Sequence, residues 1–458
     1  MATQTEERLG TAPIPGLMAT LAVPAVIAQL INVLYNIVDR IYIGHIPEIG
    51  HTALTGVGVT FPIVLLVSAF SAFIGAGGAP LASIYLGKGN REKAERILGS
   101  GTTVLLLFSL ILTVFFLIFH RLLLYMFGAS DATIGYGSDY ITIYLMGTVF
   151  VQLALGLNMF ITSQGRAKTA MLSVLIGAVT NIILDPIFIF LFQMGVRGAA
   201  LATIISQALS AAWVLKFLTS EKSAIRIRRS YLKPDLSLLK RIMGLGISPF
   251  IMQATESAIQ IILNRGLQTY GGDLYVGSMT ILQSVMQLIV VPIQGFTQGI
   301  QPIISYNFGA RKFERVKQTY RITLTITFTT AVICCLLTTQ LPLVFAGLFT
   351  TDPELLKLLG RVMPIFMAGI WMFGIQMGCQ TTFMGLGQAK ISLFIALLRK
   401  VILLIPLAIL LPICTGGNVI SIYFSEPISD ITSASIAGIL FLITRKKILS
   451  EEALAKIK

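Results

Sequence analysis

Charge is what this sequence lacks. Asp, Glu, Lys and Arg make up only 12% of its 458 residues, where a soluble chain carries about a quarter. That scarcity excludes an ordinary water-soluble protein. With 55% hydrophobic residues and a mean hydropathy of +0.84, the chain has lipid as its solvent. Cysteine is scarce too. Cys334, Cys335, Cys379 and Cys414 all fall inside apolar runs and none has metal-ligand spacing, so they read as small apolar packing residues. The stretch up to Pro15 lacks a basic segment followed by a short apolar one. No cleavable signal is therefore expected, and the first apolar run is itself a span. No soluble domain and no metal or nucleophile constellation interrupts the apolar segments.

The net charge of +14 sits between those segments, where the positive-inside rule puts it, so no nucleic-acid partner is expected. The 41 glycines fit membrane helices as well. A window of about 20 residues predicts an all-α integral membrane protein of twelve transmembrane helices. They cover 17–43, 53–86, 97–119, 134–163, 168–193, 197–218, 241–267, 275–307, 318–347, 356–385, 389–413 and 418–444. This divides the chain into an N-terminal lobe (1–218), a cytoplasmic linker (219–240), a C-terminal lobe (241–444) and a tail (445–458). Of the 34 Lys and Arg residues, 26 lie on the side that carries both termini and six on the other, with Arg399 and Lys400 inside a span. Both termini are thus expected in the cytoplasm, with the protein multi-pass in the cell inner (plasma) membrane.

The two halves repeat. PLASIYLG from Pro80 is matched by PIISYNFG from Pro302, 222 residues on. At the same offset GRAKTA from Gly165 meets GQAKIS from Gly387, and with slippage VDRIYIG from Val38 meets LNRGLQTYG from Leu263. Six spans per half is an even number, so the halves are parallel repeats about a pseudo-two-fold axis, with a cavity expected at their interface.

Polar groups inside spans are costly and are candidates for function. Gln29, Asn32, Asn36 and Asp39 share one face of the first helix. The amides serve equally well as helix–helix glue; the acid is a poor choice for that role. Asn181 and Asp185 lie one turn apart before Pro186, whose missing N–H bends a helix. Thr203, Ser206 and Gln207 follow in the sixth span. By depth, Asp39, Asn181, Asp185 and Thr203 lie at similar height in the outer half and can converge. The second half does not copy this: Asn264, Leu403 and Leu407 stand at the corresponding places. It has Glu256 instead, to bind a cation or pair with Arg265 or Lys400, and Glu426 early in the last span.

With these residues the sequence resembles the MATE (multidrug and toxic compound extrusion) transporters over nearly its whole length. The resemblance rests on NIVDRIYIG (36–44), NIILDPIFIF (181–190), GVRGAALAT (195–203), LLRKVILLIPL (397–407) and the twin loops, while SEPISD (425–430) is similar to the MepA-like branch. It implies two six-helix lobes around a V-shaped cleft, and efflux of small lipophilic, mostly cationic molecules in exchange for Na⁺ or H⁺. No cofactor beyond that coupling ion, membrane lipid as surroundings and a monomer are implied with it. It also implies a cation site of Asp39, Asn181, Asp185 and Thr203, which would be the metal ligands if the ion is Na⁺. Glu256, Asn36, Asn32 and Gln207 are further candidate contacts for substrate or a second cation. Some members add a tenth-helix acid to a site with the seventh-helix Glu; here that place is near Phe373, so a complete second ion site is not expected.

Physically, a carboxylate in a lobe of low dielectric takes up a proton or neutralises itself with Na⁺, and oxygen donors suit a hard cation. One charge moving inward at about 100 mV yields about 2.3 kcal/mol, enough for a drug gradient of about fifty-fold. The rival readings are a flippase of lipid-linked precursors, which would favour a basic cleft, and a major-facilitator carrier, whose basic loop LGKGNREKAER does not match. A receptor or an enzyme is disfavoured by the repeat and the missing soluble domain.

Overall fold

The computed structural model of the chain describes residues 2–450. Lys456 and Lys458, counted above with the tail, lie outside the described residues. Helices account for every regular element except turns, with no strand among the described residues. Ten helices are long and apolar enough to cross a membrane. An eleventh span, the fourth in chain order, is the pair Ile134–Met146 and Thr148–Ser163, bent by 60°. The break falls at Gly147, where a Cβ would run into the Ile204 side chain; glycine lets the bent helix lie against the sixth span. The seventh span is the helix Leu236–Gly271, whose 36 residues reach about 54 Å at 1.5 Å per residue. It matches the span expected at 241–267 and carries Lys240, Arg241, Glu256 and Arg265. Its start is fixed by Asp235, whose carboxylate accepts from the Ser237 and Leu238 amides at 2.9 and 3.2 Å. The Leu238 amide foremost holds that carboxyl below its usual range.

The repeat extends to the backbone. Gly165 and Gly387, 222 residues apart, both turn with positive φ (+77° and +70°), as do Gly89 and Arg311 (+73° and +58°). The lobes meet through the same symmetry. A Cβ on Gly87 would strike the Tyr306 carbonyl, and one on Gly309 would strike the Ile84 carbonyl. Since 84 and 306 are also 222 apart, these are a single contact and its image, and they mark where the pseudo-two-fold axis passes. Deeper in, Gly77 and Gly246 bring the second span, Thr52–Gly87, against the seventh, while Gly295 and Gly299 bring the eighth, Asp273–Gly309, against the first, Ile14–Gly44.

A hydrophobic cluster of Leu9, Ile14, Leu17, Ile84, Ile303 and Phe308 seals this end. The short N-terminal helix Ala2–Thr11 is stapled across it: Asn307 donates to the Leu9 carbonyl at 2.8 Å, Lys312 to Gly10 at 2.8 Å and Arg315 to Ala12 at 2.7 Å. The linker is packed as well. The Gln164 amide oxygen accepts from Ser223 and from the Ala224 and Ile225 amides, and Arg228 pairs with the buried Glu95 at 2.7 Å. Toward the other end the first span loses its cover. Leu17, Met18, Leu21 and Ala22 are buried, but Leu34, Ile37 and Ile41 are about half exposed. The lobes are joined at the N-terminal end, and the bridge from Gln29 to Gln298, at 2.8 Å, adds to that contact.

Gly87→Val and Gly309→Val should each lower the unfolding midpoint in detergent by several degrees, as overpacking of about 1–3 kcal/mol does. Gly16→Val, at a site with no neighbour within 4 Å, should shift it little. Midpoints unchanged in both interface variants would show that the lobes do not meet through these glycines.

Candidate functional site

Four elements bring the N-lobe polar groups together. The fifth span runs as an α-helix over Ala167–Pro186 and opens into a π-turn over Ile187–Leu191. Pro186 has no N–H to give the ladder, and the wider turn absorbs the loss. Just before it Asn181 and Asp185 point inward, with 1% and 0% of their surface exposed. The Asn181 amide donates to Asp185 Oδ1 at 3.2 Å and lies 3.5 Å from Thr203 Oγ1, on the sixth span Val196–Thr219. Asp39, on the first span, faces them, its carboxyl within hydrogen-bond reach of the Asp185 carboxyl. Tyr140, buried on the bent fourth span, stands beside Thr203 and stacks 6.3 Å from Tyr144. Tyr140 is absent from the candidates drawn from the sequence. Its signal there is weak: two tyrosines one turn apart in an apolar run.

Asp39 Oδ1, Asn181 Oδ1 and Asp185 Oδ2 are buried with no hydrogen-bond partner. Two carboxyls side by side and away from water repel when both are charged, which favours a proton or cation between them, while Arg40 offsets part of that repulsion at Asp39. The set of three orphan oxygens and a threonine hydroxyl fits a hard cation or a shared proton. Among the described residues no three His, Cys, Asp or Glu gather as a transition-metal site would require. A cavity of about 30 Å³, room for one or two waters, opens beside Asn181 and Thr203 and is also lined by Asn32, Tyr35, Asn158 and Gln207. Asn32 and Gln207 therefore share a wall with Asn181 and Thr203. Asn36 does not: its amide is exposed and donates back to the Asn32 carbonyl at 2.6 Å.

The C-lobe solves the same problem differently. The eleventh span carries a π-turn over Leu398–Leu404 between the α-helices Ala389–Leu397 and Ile405–Cys414. Within it the consecutive side chains Arg399 and Lys400 are both nearly buried, 5% and 7% exposed. Arg399 bonds Asp430 through Nε at 2.6 Å and Glu426 through Nη2 at 3.1 Å, both on the last helix, Ser425–Ile448. Ser429 donates to the Arg399 carbonyl at 2.7 Å. Lys400 bonds Glu256 on the seventh span at 2.8 Å. Of the open alternatives for Glu256, the structure gives it Lys400 and leaves Arg265 out. Phe373 lies under the Arg399 guanidinium, 4.9 Å from its ring centre. The sequence reading missed this network's extent. The signal was two adjacent cations in an apolar span, with Glu426 and Asp430 one turn apart facing them.

A family model for MatE matches residues 24–187 and again 249–410. The chain belongs to the MatE family. The first match contains Asp39, Asn181 and Asp185, the second Glu256, Arg399 and Lys400. Among curated relatives, the chain is 26% identical over 436 residues to the multidrug export protein MepA of Staphylococcus haemolyticus, covering 95% of each chain. It is 25% identical over 430 residues to MepA of Staphylococcus aureus, covering 93% of this chain and 94% of that one. Among solved structures it resembles a MATE in the bent conformation, with TM-score 0.88, 23% identity and 99% and 98% coverage. It also resembles an outward-facing multidrug resistance MATE transporter of the MOP superfamily, with TM-score 0.85, 23% identity and 96% of each chain. These confirm the MatE fold, two helical lobes in parallel repeat.

Arg399→Met should destabilise the protein by about 3–5 kcal/mol, because it strands two buried carboxylates without their cation. Adding Glu426→Gln and Asp430→Asn should recover most of the loss. Thermal midpoints in detergent check this; a single variant as stable as the parent would deny the network a structural role.

Proposed function

We propose that the chain is a secondary active multidrug exporter that antiports lipophilic, mostly cationic compounds against Na⁺ or H⁺ across the plasma membrane, working as a monomer. The observation that carries this is the pair of contacting carboxyls, Asp39 and Asp185, with three unpartnered oxygens between helices beside the cleft. The multidrug export proteins among the relatives agree with it.

With the basic loops in the cytoplasm, the joined end of the lobes is cytoplasmic and the cleft opens outward. This is then the state in which drug leaves and the ion enters. An ion or proton reaching Asp39 and Asp185 removes their repulsion, and Asn181 and Thr203 orient them for it. Because Asp39 rides on the first span and Asp185 on the fifth, the charge state of the pair sets how closely the two helices approach. The first span also carries the inter-lobe contact at Ala22 and Val26, so a shift there reaches the lobe interface. A drug that prefers the other spacing is expelled as the ion binds. The flippase reading would gain from a basic cleft, but Arg399 and Lys400 are each already paired with acids.

Dye efflux from proteoliposomes under separately imposed Na⁺ and proton gradients tests the reading. Asp39→Asn and Asp185→Asn should each abolish ion-driven efflux while the protein stays folded, and Glu256→Gln should be milder. Normal driven efflux by both Asp variants would overturn the assignment; loss in Glu256→Gln alone would move the ion site to the other lobe. By reciprocity, ethidium affinity should also fall as the coupling ion is raised, as Na⁺ rises or as pH falls. Flat affinity in both series, in a preparation that transports, rules the coupling scheme out.

A further inference from the structure

The charged cluster of the C-lobe holds more acids than bases. Arg399 and Lys400 face Glu256, Glu426 and Asp430, two basic side chains against three acidic ones. Asp430 Oδ2 is buried and has no hydrogen-bond partner. The two cations are held differently. Arg399 is clamped by two acids and by the Phe373 ring, on a π-turn whose carbonyl Ser429 also holds. Lys400 has one partner, Glu256, on a flexible four-carbon stem. Glu426 lies within electrostatic reach of Lys400 as well as of Arg399, so a second carboxylate is at hand for it.

Glu256 differs from every other member in exposure. Its side chain is 43% open, while Lys400, Arg399, Glu426 and Asp430 are all under a tenth. It lies in the middle of the seventh span, a helix that lines the lobe interface, where Phe250 packs on Phe70 and Phe73 of the other lobe, ring centres 5.0 and 5.2 Å apart. Lys400 reaches it from within the lobe and covers part of the carboxylate, and the remaining side is open.

We infer that Lys400 is a tethered counter-ion which occupies the Glu256 carboxylate when the cleft is empty, and that a lipophilic cation binds by taking its place while Lys400 turns toward Glu426. The exchange keeps Glu256 paired: the incoming cation takes the place that Lys400 leaves. It makes Lys400 a specificity-determining residue, because any substrate that binds there competes with an intramolecular cation. A neutral compound gains nothing from Glu256 and is indifferent to Lys400. The inference rests on the export reading for its substrate class, but equilibrium binding tests it without an ion gradient.

The experiment is ethidium binding by fluorescence anisotropy to the purified full chain in nanodiscs, with uncharged Nile red as the control probe. A tethered group acts at an effective concentration in the millimolar range, so Lys400→Met should bind ethidium at least about tenfold more tightly. Nile red affinity should not move. Lys400→Arg should resemble the parent, and Lys400→Met with Glu256→Gln should lose the gain. Lys400→Gln serves the same test if the methionine variant does not fold. Unchanged or weaker ethidium binding in a folded Lys400 variant, or an equal gain for Nile red, overturns the inference. Loss of driven efflux with the binding pattern intact would instead count against the antiport reading.

Discussion

Two carboxyl groups pressed together inside a lipid-bound lobe need a positive partner, and the rest of this structure is organised by where that partner comes from. Between Asp39 and Asp185 no side-chain cation is bonded; Arg40 acts on Asp39 only at a distance, and Asn181 and Thr203 contribute dipoles. A charge from outside must complete the group, so its occupancy depends on solution conditions. An arginine in place of Asn181 would satisfy the electrostatics permanently and leave nothing to couple. The cost of the incomplete site is borne by the packing around it, which keeps Asp185 and Asn181 at most 1% exposed.

The C-lobe starts from the same backbone and reaches the opposite arrangement. At the places of Asn181 and Asp185 it has Leu403 and Leu407, and the charges move one turn earlier onto a π-turn. There Arg399 is locked between Glu426 and Asp430. A buried ion pair of this kind contributes little net stability against apolar residues of equal size, yet breaking it is expensive. Such a group is suited to fixing a conformation and poorly suited to exchanging with solvent. Only Glu256 and Lys400, at the cluster's open edge, have the freedom to exchange.

Much of this was legible in the sequence, and for identifiable reasons. The spans follow from apolar length, and the repeat from PLASIYLG and PIISYNFG, which the structure places on either side of the pseudo-two-fold axis. Asp39, Asn181, Asp185 and Thr203 could be placed at one depth because helix rise is constant. What escaped depended on backbone irregularity. The bend at Gly147 carries Tyr140 to Thr203, and regular helical periodicity cannot anticipate it. Arg399 and Lys400 are adjacent yet both buried because each meets a different helix, the last and the seventh, and sequence does not show those neighbours. Glu256 had three open partners because sequence gives depth along a helix but not which neighbour stands opposite.

The asymmetry also bears on how two ligands can interact without touching. The candidate ion group lies between spans of the N-lobe, and Glu256 lies on the seventh span, which meets the N-lobe at Gly77 and Gly246. Those glycine contacts bring backbone against backbone, so they have no side chains to absorb a displacement. A change in spacing within one lobe must then be taken up as movement of one lobe against the other, pivoting where the axis passes between Gly87 and Gly309. A chain that softened this interface with flexible side chains would keep both sites and lose the linkage between them. On the proposed reading, close backbone packing at the N-terminal end would let ion chemistry and cation recognition act on one equilibrium.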